Sequence, residues 1–371
     1  MGDAPQRRRF DSLQAGRGLA ALMVVLCHIG SFVGKEPGLW GREIVFRWLG
    51  PGKYGVDFFF ILSGVVIFLA HWTELGNPAK IPSFLWKRFR RIYPIYWVFL
   101  VPTILKQFKV VDNDTIHHHH DKFVILSSFL LVHIHSIGYN MMPSWTLFHE
   151  VLFYLFFCVL LLRKELGAVL FFLWFAASFF FFSPQAVSAD PATYLQVLFS
   201  PLHLLFGFGM LVGWILHNRR APAQLWLLVS GLGIFFGALV FDALNPPGSA
   251  WVRILGGAGL ALAVLTGAER ESLQKLHVPR ALVFLGDASY SIYLVHFMVV
   301  SAIARKGFAL DHRLHLPLAV WMTLMFVAAV ALGILAHLII ERPLLRWLSG
   351  LSRKPSPAAV EPQSQPLSAL K

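Results

Sequence analysis

Residues Gly55 to Trp72 read GVDFFFILSGVVIFLAHW, with Asp57 the one carboxylate in the run. At ~1.5 Å of helix rise per residue, about 17 to 20 such residues cross ~30 Å of hydrocarbon. The stretch therefore reads as a helix whose solvent is lipid. Ten more apolar runs occupy residues 18–34, 92–111, 122–136, 147–163, 166–183, 195–217, 223–242, 250–267, 284–304 and 316–340. The 122–136 run is the weakest candidate to cross. Across 371 residues the chain is 57% hydrophobic and 14% charged, with a mean hydropathy of +0.64. Soluble domains carry about 25% charge, so the composition predicts an all-α, polytopic membrane bundle.

The net charge of +13 does not point to nucleic acid, because no aqueous module is present to carry a basic face. It is expected instead from Lys and Arg gathered in cytoplasmic loops. Each true span moves the chain to the other side, so the loop charges can be counted by parity. Arg7, Arg8 and Arg9 place the start inside, and two spans later come Lys80, Lys87, Arg88, Arg90 and Arg91. Counting back from Arg342, Arg346, Arg353 and Lys354 puts Arg219/Arg220 and Arg163/Lys164 inside as well. The two counts meet only for an even number of spans. The expectation is ten spanning helices, a non-crossing excursion over 112–146 and both termini cytoplasmic, which leaves 21 Lys and Arg inside and 11 outside. The first run follows three arginines, as in secretory and twin-arginine signals, but nine further spans favour an uncleaved anchor. Residues 1–347 read as one transmembrane domain and 348–371 as a disordered cytoplasmic tail. Cys27 and Cys158 lie inside apolar runs and support neither a disulfide framework nor a zinc site. The small-xxx-small pairs Gly209/Gly213 and Gly233/Gly237 predict close helix packing.

Ionisable side chains inside such helices cost at least ~2.5 kcal/mol at mid-bilayer, so each asks for a pocket or a partner. Arg17, His28, Asp57, Glu150 and His296 are the informative ones, while His203 and His337 read as packing histidines. Arg17 and His28, eleven residues apart, fall roughly 20° from one helical line and ~16 Å apart along it. A cation near the cytoplasmic mouth and a base deeper in suit an anionic carrier that delivers a group inward. In the loop before the third span, Arg88 and Arg91 are spaced to share a helical face, and paired guanidiniums offer forked donors to phosphate. The same cluster equally suits a stop-transfer signal or an anionic-lipid contact. Glu150, at the start of the helix opened by Ser144, Trp145 and Thr146, could orient a catalytic histidine as an Asp does behind a His, or form a buried hydrogen bond that fixes the fold. Ser289, Tyr293 and His296 share a face that could bind a sugar or a pantetheine arm, or bond neighbouring helices. The run His117 to His120 has no fixed scaffold with which to enclose one ion, so no metal is expected. Gly-rich phosphate loops, H-E-x-x-H and G-x-S-x-G are absent.

Taken in order, Arg17-x10-His28, the run Gly55 to Gly64, Arg88-x-x-Arg91 followed by Ile92-Tyr93-Pro94, Ser144-Trp145-Thr146-Leu147 with Glu150, Tyr290-Ser291-Ile292-Tyr293-Leu294-x-His296, and Glu341-Arg342-Pro343 resemble membrane-bound acyltransferase family 3. That family includes bacterial O-antigen and surface-polysaccharide O-acetylases, and the resemblance covers residues 11–347. It implies a ten-helix enzyme of the bacterial inner membrane that moves an acyl group, usually acetyl, from cytoplasmic acetyl-CoA to a carbohydrate hydroxyl. His28 would be the catalytic imidazole, Arg17 its motif partner, Glu150 a further catalytic residue, and Arg88 and Arg91 contacts to the CoA phosphates. Asp57, Ser144, Trp145, Tyr293 and His296 are the candidate substrate-binding residues. The partners expected are acyl-CoA, a glycan or lipid-linked glycan and membrane lipid, with no nucleic acid and no metal. Some members add a soluble esterase-like domain, whereas here about thirty residues follow Glu341, as in a stand-alone form. Many members have Glu-Glu or Glu-Gln where this chain has His149-Glu150-Val151.

A neutral imidazole can take the acceptor proton as oxygen attacks the thioester carbonyl. Transfer could be direct or pass through an acyl-imidazole on His28, with Ser144, Tyr293 and the backbone near Gly64 as oxyanion donors. A proton-coupled transporter or glycan translocator is the alternative use of the same intramembrane groups, although the repeat between halves that transporters commonly show is not visible.

Overall fold

A computed structural model describes residues 10–36, 39–109, 121–132, 140–180, 194–218, 221–245 and 249–350. Arg7 to Arg9, the run His117 to His120, Arg219/Arg220 and the tail from residue 351 lie outside the described residues. Every described element is helical: α1 Asp11–Gly34, α2 Glu43–Leu49, α3 Gly55–His71, α4 Ile81–Lys109, α5 Lys122–Leu130, α6 Ser144–Leu162, α7 Lys164–Phe180, α8 Tyr194–Leu198, α9 Leu202–His217, α10 Leu225–Leu244, α11 Ala250–Ser272, α12 Arg280–Leu314, α13 Leu318–Ala336 and α14 Arg342–Gly350. A π-helical turn, His337–Glu341, joins the last two. Among the described residues, eight helical segments are long and apolar enough to cross a membrane. Large side chains such as Phe172 (73% exposed), Phe180 (79%) and Trp226 (65%) cover the outside, a surface that only lipid would solvate. The molecule is an all-α, polytopic membrane bundle.

Two long helices fall outside those eight. In α4 the basic residues lie within the helix, which begins at Ile81 rather than at residue 92. The segment expected as a loop before the third span is therefore helical, because Lys and Arg propagate a helix readily. The other, α7, has 17 residues. The α5 helix, with nine, is only ~14 Å long and cannot cross.

The direction of each long helix follows from its packing. α1 and α12 run parallel: a Cβ on Gly18 would meet Leu285 at 2.9 Å, the rings of His28 and His296 are 5.1 Å apart, and Arg305 bonds Glu36 at 2.7 Å. α4 is parallel to both, since Tyr290 donates to the Ile92 carbonyl (2.9 Å) and Thr103 meets Met298 eleven residues further on. α6 runs against α4, with Phe84 stacked on Phe157 and Arg88 over Tyr154. α3 and α9 are parallel to each other, with Gly64 against the Phe206 carbonyl and Phe68 against Gly213. α10 opposes α11 through Gly231 at Gly259 and Ala238 at Gly256, and α12 opposes α13 through Gly307 at Trp321 and Ile292 at Gly333. α3 runs against α1 (Gly16 at Phe58, Gly55 at Ala20), α7 against α6 (Gly167 at Leu160, Phe156 on Trp174) and α11 along α3 (Arg253 at Asp57, Glu269 and Trp72 on one cavity), so that among the described residues ten long helices alternate in direction along the chain.

One expected glycine contact is corrected. Gly209 and Gly213 do let α9 approach α3, but a Cβ on Gly233 or Gly237 would meet nothing within 4 Å. Gly231 supplies the close approach on α10 instead. Four residues of spacing identify a helix face, but not whether that face meets protein or lipid.

Candidate active site

A cavity of about 890 Å³ opens between the N-terminal end of α1 and the C-terminal ends of α3, α9 and α11. Phe10, Trp72, Glu74, His217 and Glu269 form its mouth. Further in, α1 contributes Arg17, α3 Ser63, α4 Arg88 and Arg91, α6 Glu150 and Tyr154, and α12 Ser289 and Tyr290. Three guanidiniums from two helices thus line one chamber. The Nε atoms of Arg17 and Arg88 and the hydroxyl of Ser289 are buried without a hydrogen-bond partner, an arrangement that leaves donors for a polyanionic guest.

Thr146 and Tyr293 line the cavity at its inner end, and their hydroxyls hydrogen-bond to each other at 2.7 Å. Phe59 packs against the Tyr293 ring. His28 and His296 are not among the lining residues. They lie one turn beyond, where the His296 ring is 5.6 Å from that of Tyr293 and 5.1 Å from that of His28. Phe297 meets the His28 ring edge-on at 5.2 Å. Arg17 and His28 therefore belong to one path, the arginine inside the cavity and the imidazole past its inner end. The face shared by Ser289, Tyr293 and His296 continues from the chamber to the histidine pair.

Several expected site residues are placed elsewhere. Asp57, fully buried, receives both Nε and Nη2 of Arg253, with the Nε contacts at 2.9 Å, and lies outside the cavity. Ser144 is buried at the start of α6 and donates to the Met141 carbonyl, while Trp145 packs against His149. Tyr293 alone of the five candidate substrate-binding residues lines the chamber. Glu150 does line it, but its carboxylate accepts from Ser63 (3.1 Å) and Tyr154. Neither of these partners is a histidine. His337 bonds Glu341 at 2.8 Å and His203 bonds the Val197 carbonyl at 2.8 Å, each within helix packing.

Tyr154, which lines the chamber, and Arg253, which holds Asp57 outside it, went unread in the sequence. Tyr154 follows Glu150 by one helical turn, a spacing that could have marked it. Arg253 lies in the apolar run 250–267, where a buried Asp57 demands a cation. Ser63 and Tyr290 lie within the motifs quoted above, but nothing in the sequence marks them as lining the chamber.

Residues 10–338 match the model of the acyltransferase 3 family, described as an acyltransferase domain. The chain belongs to that family and is an acyltransferase embedded in a membrane. It is 30% identical to the exopolysaccharide production protein ExoZ of Rhizobium meliloti, over 80% of this chain and 90% of that one. It is 27% identical to the acyltransferase MdmB of Streptomyces mycarofaciens, over 96% and 97% of the two chains. With the peptidoglycan O-acetyltransferase OatA of Listeria monocytogenes it shares 26% identity over 80% of its own length and 50% of that protein's. No solved structure matches the chain.

Proposed function

We propose that the protein transfers an acyl group, acetyl in the first instance, from cytoplasmic acyl-CoA to a hydroxyl of a glycan, with His28 as general base. The observation that carries this reading is the chamber that holds Arg17, Arg88 and Arg91 and ends one turn short of His28. An extended phosphopantetheine arm, about thirteen bonds advancing ~1.2 Å each, is roughly 16 Å long. Arg17 and His28 are separated by ~16 Å along α1. Phosphates held by the arginines therefore bring the thioester to the imidazole once the arm passes Thr146 and Tyr293.

In the transfer, His28 takes the proton of the acceptor hydroxyl while the oxygen bonds to the thioester carbon. The C–S bond then breaks, and the proton on His28 passes to the departing sulfur, giving an ester and free CoA. The relatives named for exopolysaccharide production and peptidoglycan O-acetylation support a glycan acceptor at the cell envelope. The alternating directions of ten helices support ten crossings. The termini and the cavity mouth would then share the cytoplasmic side of a bacterial inner membrane.

The test is release of CoA from labelled acetyl-CoA by membranes containing the chain, with the label traced into glycan. His28→Ala should abolish transfer, and Arg88→Ala/Arg91→Ala should prevent saturation with donor. Equal label transfer by all three proteins would overturn the reading.

A further inference from the structure

His296 is 1% exposed, and its Nδ1 lies 2.6 Å from the Tyr293 carbonyl oxygen. A carbonyl can only accept, so Nδ1 carries a proton, and in the neutral ring Nε2 is then a bare acceptor. That Nε2 is buried and has no partner. The ring facing it is His28, at a centroid distance of 5.1 Å and a tilt of 40°. Elsewhere in the bundle, His149 and His203 have nearly the same centroid distance, 5.0 Å, and their ring nitrogens approach to 3.4 Å. Two imidazoles at that centroid separation can bring ring nitrogens within reach of each other, so a turn of the His28 ring can set one of its N–H groups on the empty acceptor. Phe297 packs edge-on against His28 and restricts how that ring can turn.

We infer that His296 is the positioning residue for His28: its Nε2 accepts the N–H of one His28 nitrogen and so fixes the other as the bare nitrogen that takes the acceptor proton. The inference rests on the reading of His28 as base. It places a neutral imidazole where serine hydrolases place a carboxylate. The proton balance is closed. The acceptor proton goes to the free nitrogen of His28, the first N–H stays shared with His296, and collapse of the tetrahedral adduct sends the acquired proton to the CoA sulfur. Both rings finish neutral.

Two amide substitutions separate this role from packing. In His296→Asn the amide sits near Nδ1 and keeps the bond to the Tyr293 carbonyl, but offers nothing at Nε2. In His296→Gln the amide oxygen reaches the Nε2 position and the Tyr293 bond is lost. With purified full-length protein, the Asn variant should lose about 10²-fold or more in kcat while its KM for acetyl-CoA stays within about twofold. The Gln variant should keep kcat within about tenfold of the parent. An Asn variant at parental kcat, or an Asn variant more active than Gln, overturns the inference. A second measurement needs no folded variant at position 296: ¹⁵N spectra of histidine-labelled parent protein, with His28 assigned by its loss in His28→Asn. One fixed neutral tautomer at His28 is expected, and a mixture of the two overturns the inference. If His28→Asn itself transfers acetyl at the parental rate, the base reading falls. If it is inactive while His296→Asn is not, only the inference about His296 falls.

Discussion

Asp57 and Glu150 are carboxylates set among apolar helices, and their partners differ in kind. Asp57 is held by the Arg253 guanidinium, a full ion pair out of reach of water. Glu150 accepts from two neutral hydroxyls and faces the chamber that holds the cations. Removing one member of the first pair leaves a buried charge alone, which costs about 3–5 kcal/mol, whereas replacing both with apolar groups is far milder. Asp57→Leu and Arg253→Met should therefore each lower the unfolding midpoint in detergent, and the double variant should recover most of the loss. Arg88→Ala should act differently, raising KM for acetyl-CoA by about tenfold with kcat little changed, as expected for lost uniform binding of the donor. Steady-state kinetics at varied donor concentration measures this. Arg88→Lys should restore only part, because an ammonium lacks the planar fork. Single ionisable residues are legible in a sequence because lipid makes each conspicuous. Their partners are not legible: Arg253 is 196 positions from Asp57, and only the topology brings the two together.

Helix ends and helix faces set the next level. Hydropathy locates every long helix, but it reads α12 as 284–304 where the helix runs from Arg280 to Leu314, because polar turns continue past the lipid-facing part. It also leaves undecided which glycines meet protein. A Cβ on Gly286 would collide with the Gln14 carbonyl, backbone against backbone, and one on Gly237 would touch nothing within 4 Å. Gly286→Ala must part α1 from α12 and, with them, His28 from His296. A loss of at least about tenfold in kcat is expected. Gly237→Ala, which makes the same chemical change on α10, should leave turnover unaltered. Measuring both in one preparation separates helix spacing from the intrinsic preference of alanine for helices.

The molecule as a whole has two ends, and the cavity opens at only one of them. Thr73 is exposed at the mouth, and Asn245 is exposed at the end of α10 that lies away from it. In a background without Cys27 and Cys158, Thr73→Cys and Asn245→Cys should react with a membrane-impermeant maleimide from opposite sides. Acetyl-CoA should protect only the first, and labelling of both from one side would contradict the alternation of helices. Loop charge gives an expected sidedness, whereas the chamber could not be read from the sequence, because seven helices distant in sequence contribute its walls. The closeness of α1 and α12 also bears on biosynthesis. His28 enters the bilayer before its neighbouring ring at position 296, which follows only after eight more long helices have begun. During that interval α1 must keep its groove open without its eventual neighbour, because its lateral contact with α12 has nearly the greatest sequence separation among the described helices. Contacts of this kind form late in folding. A ribosome stalled before α12 would leave a membrane-inserted fragment that lacks the second imidazole, and on the proposed reading that fragment would not turn over.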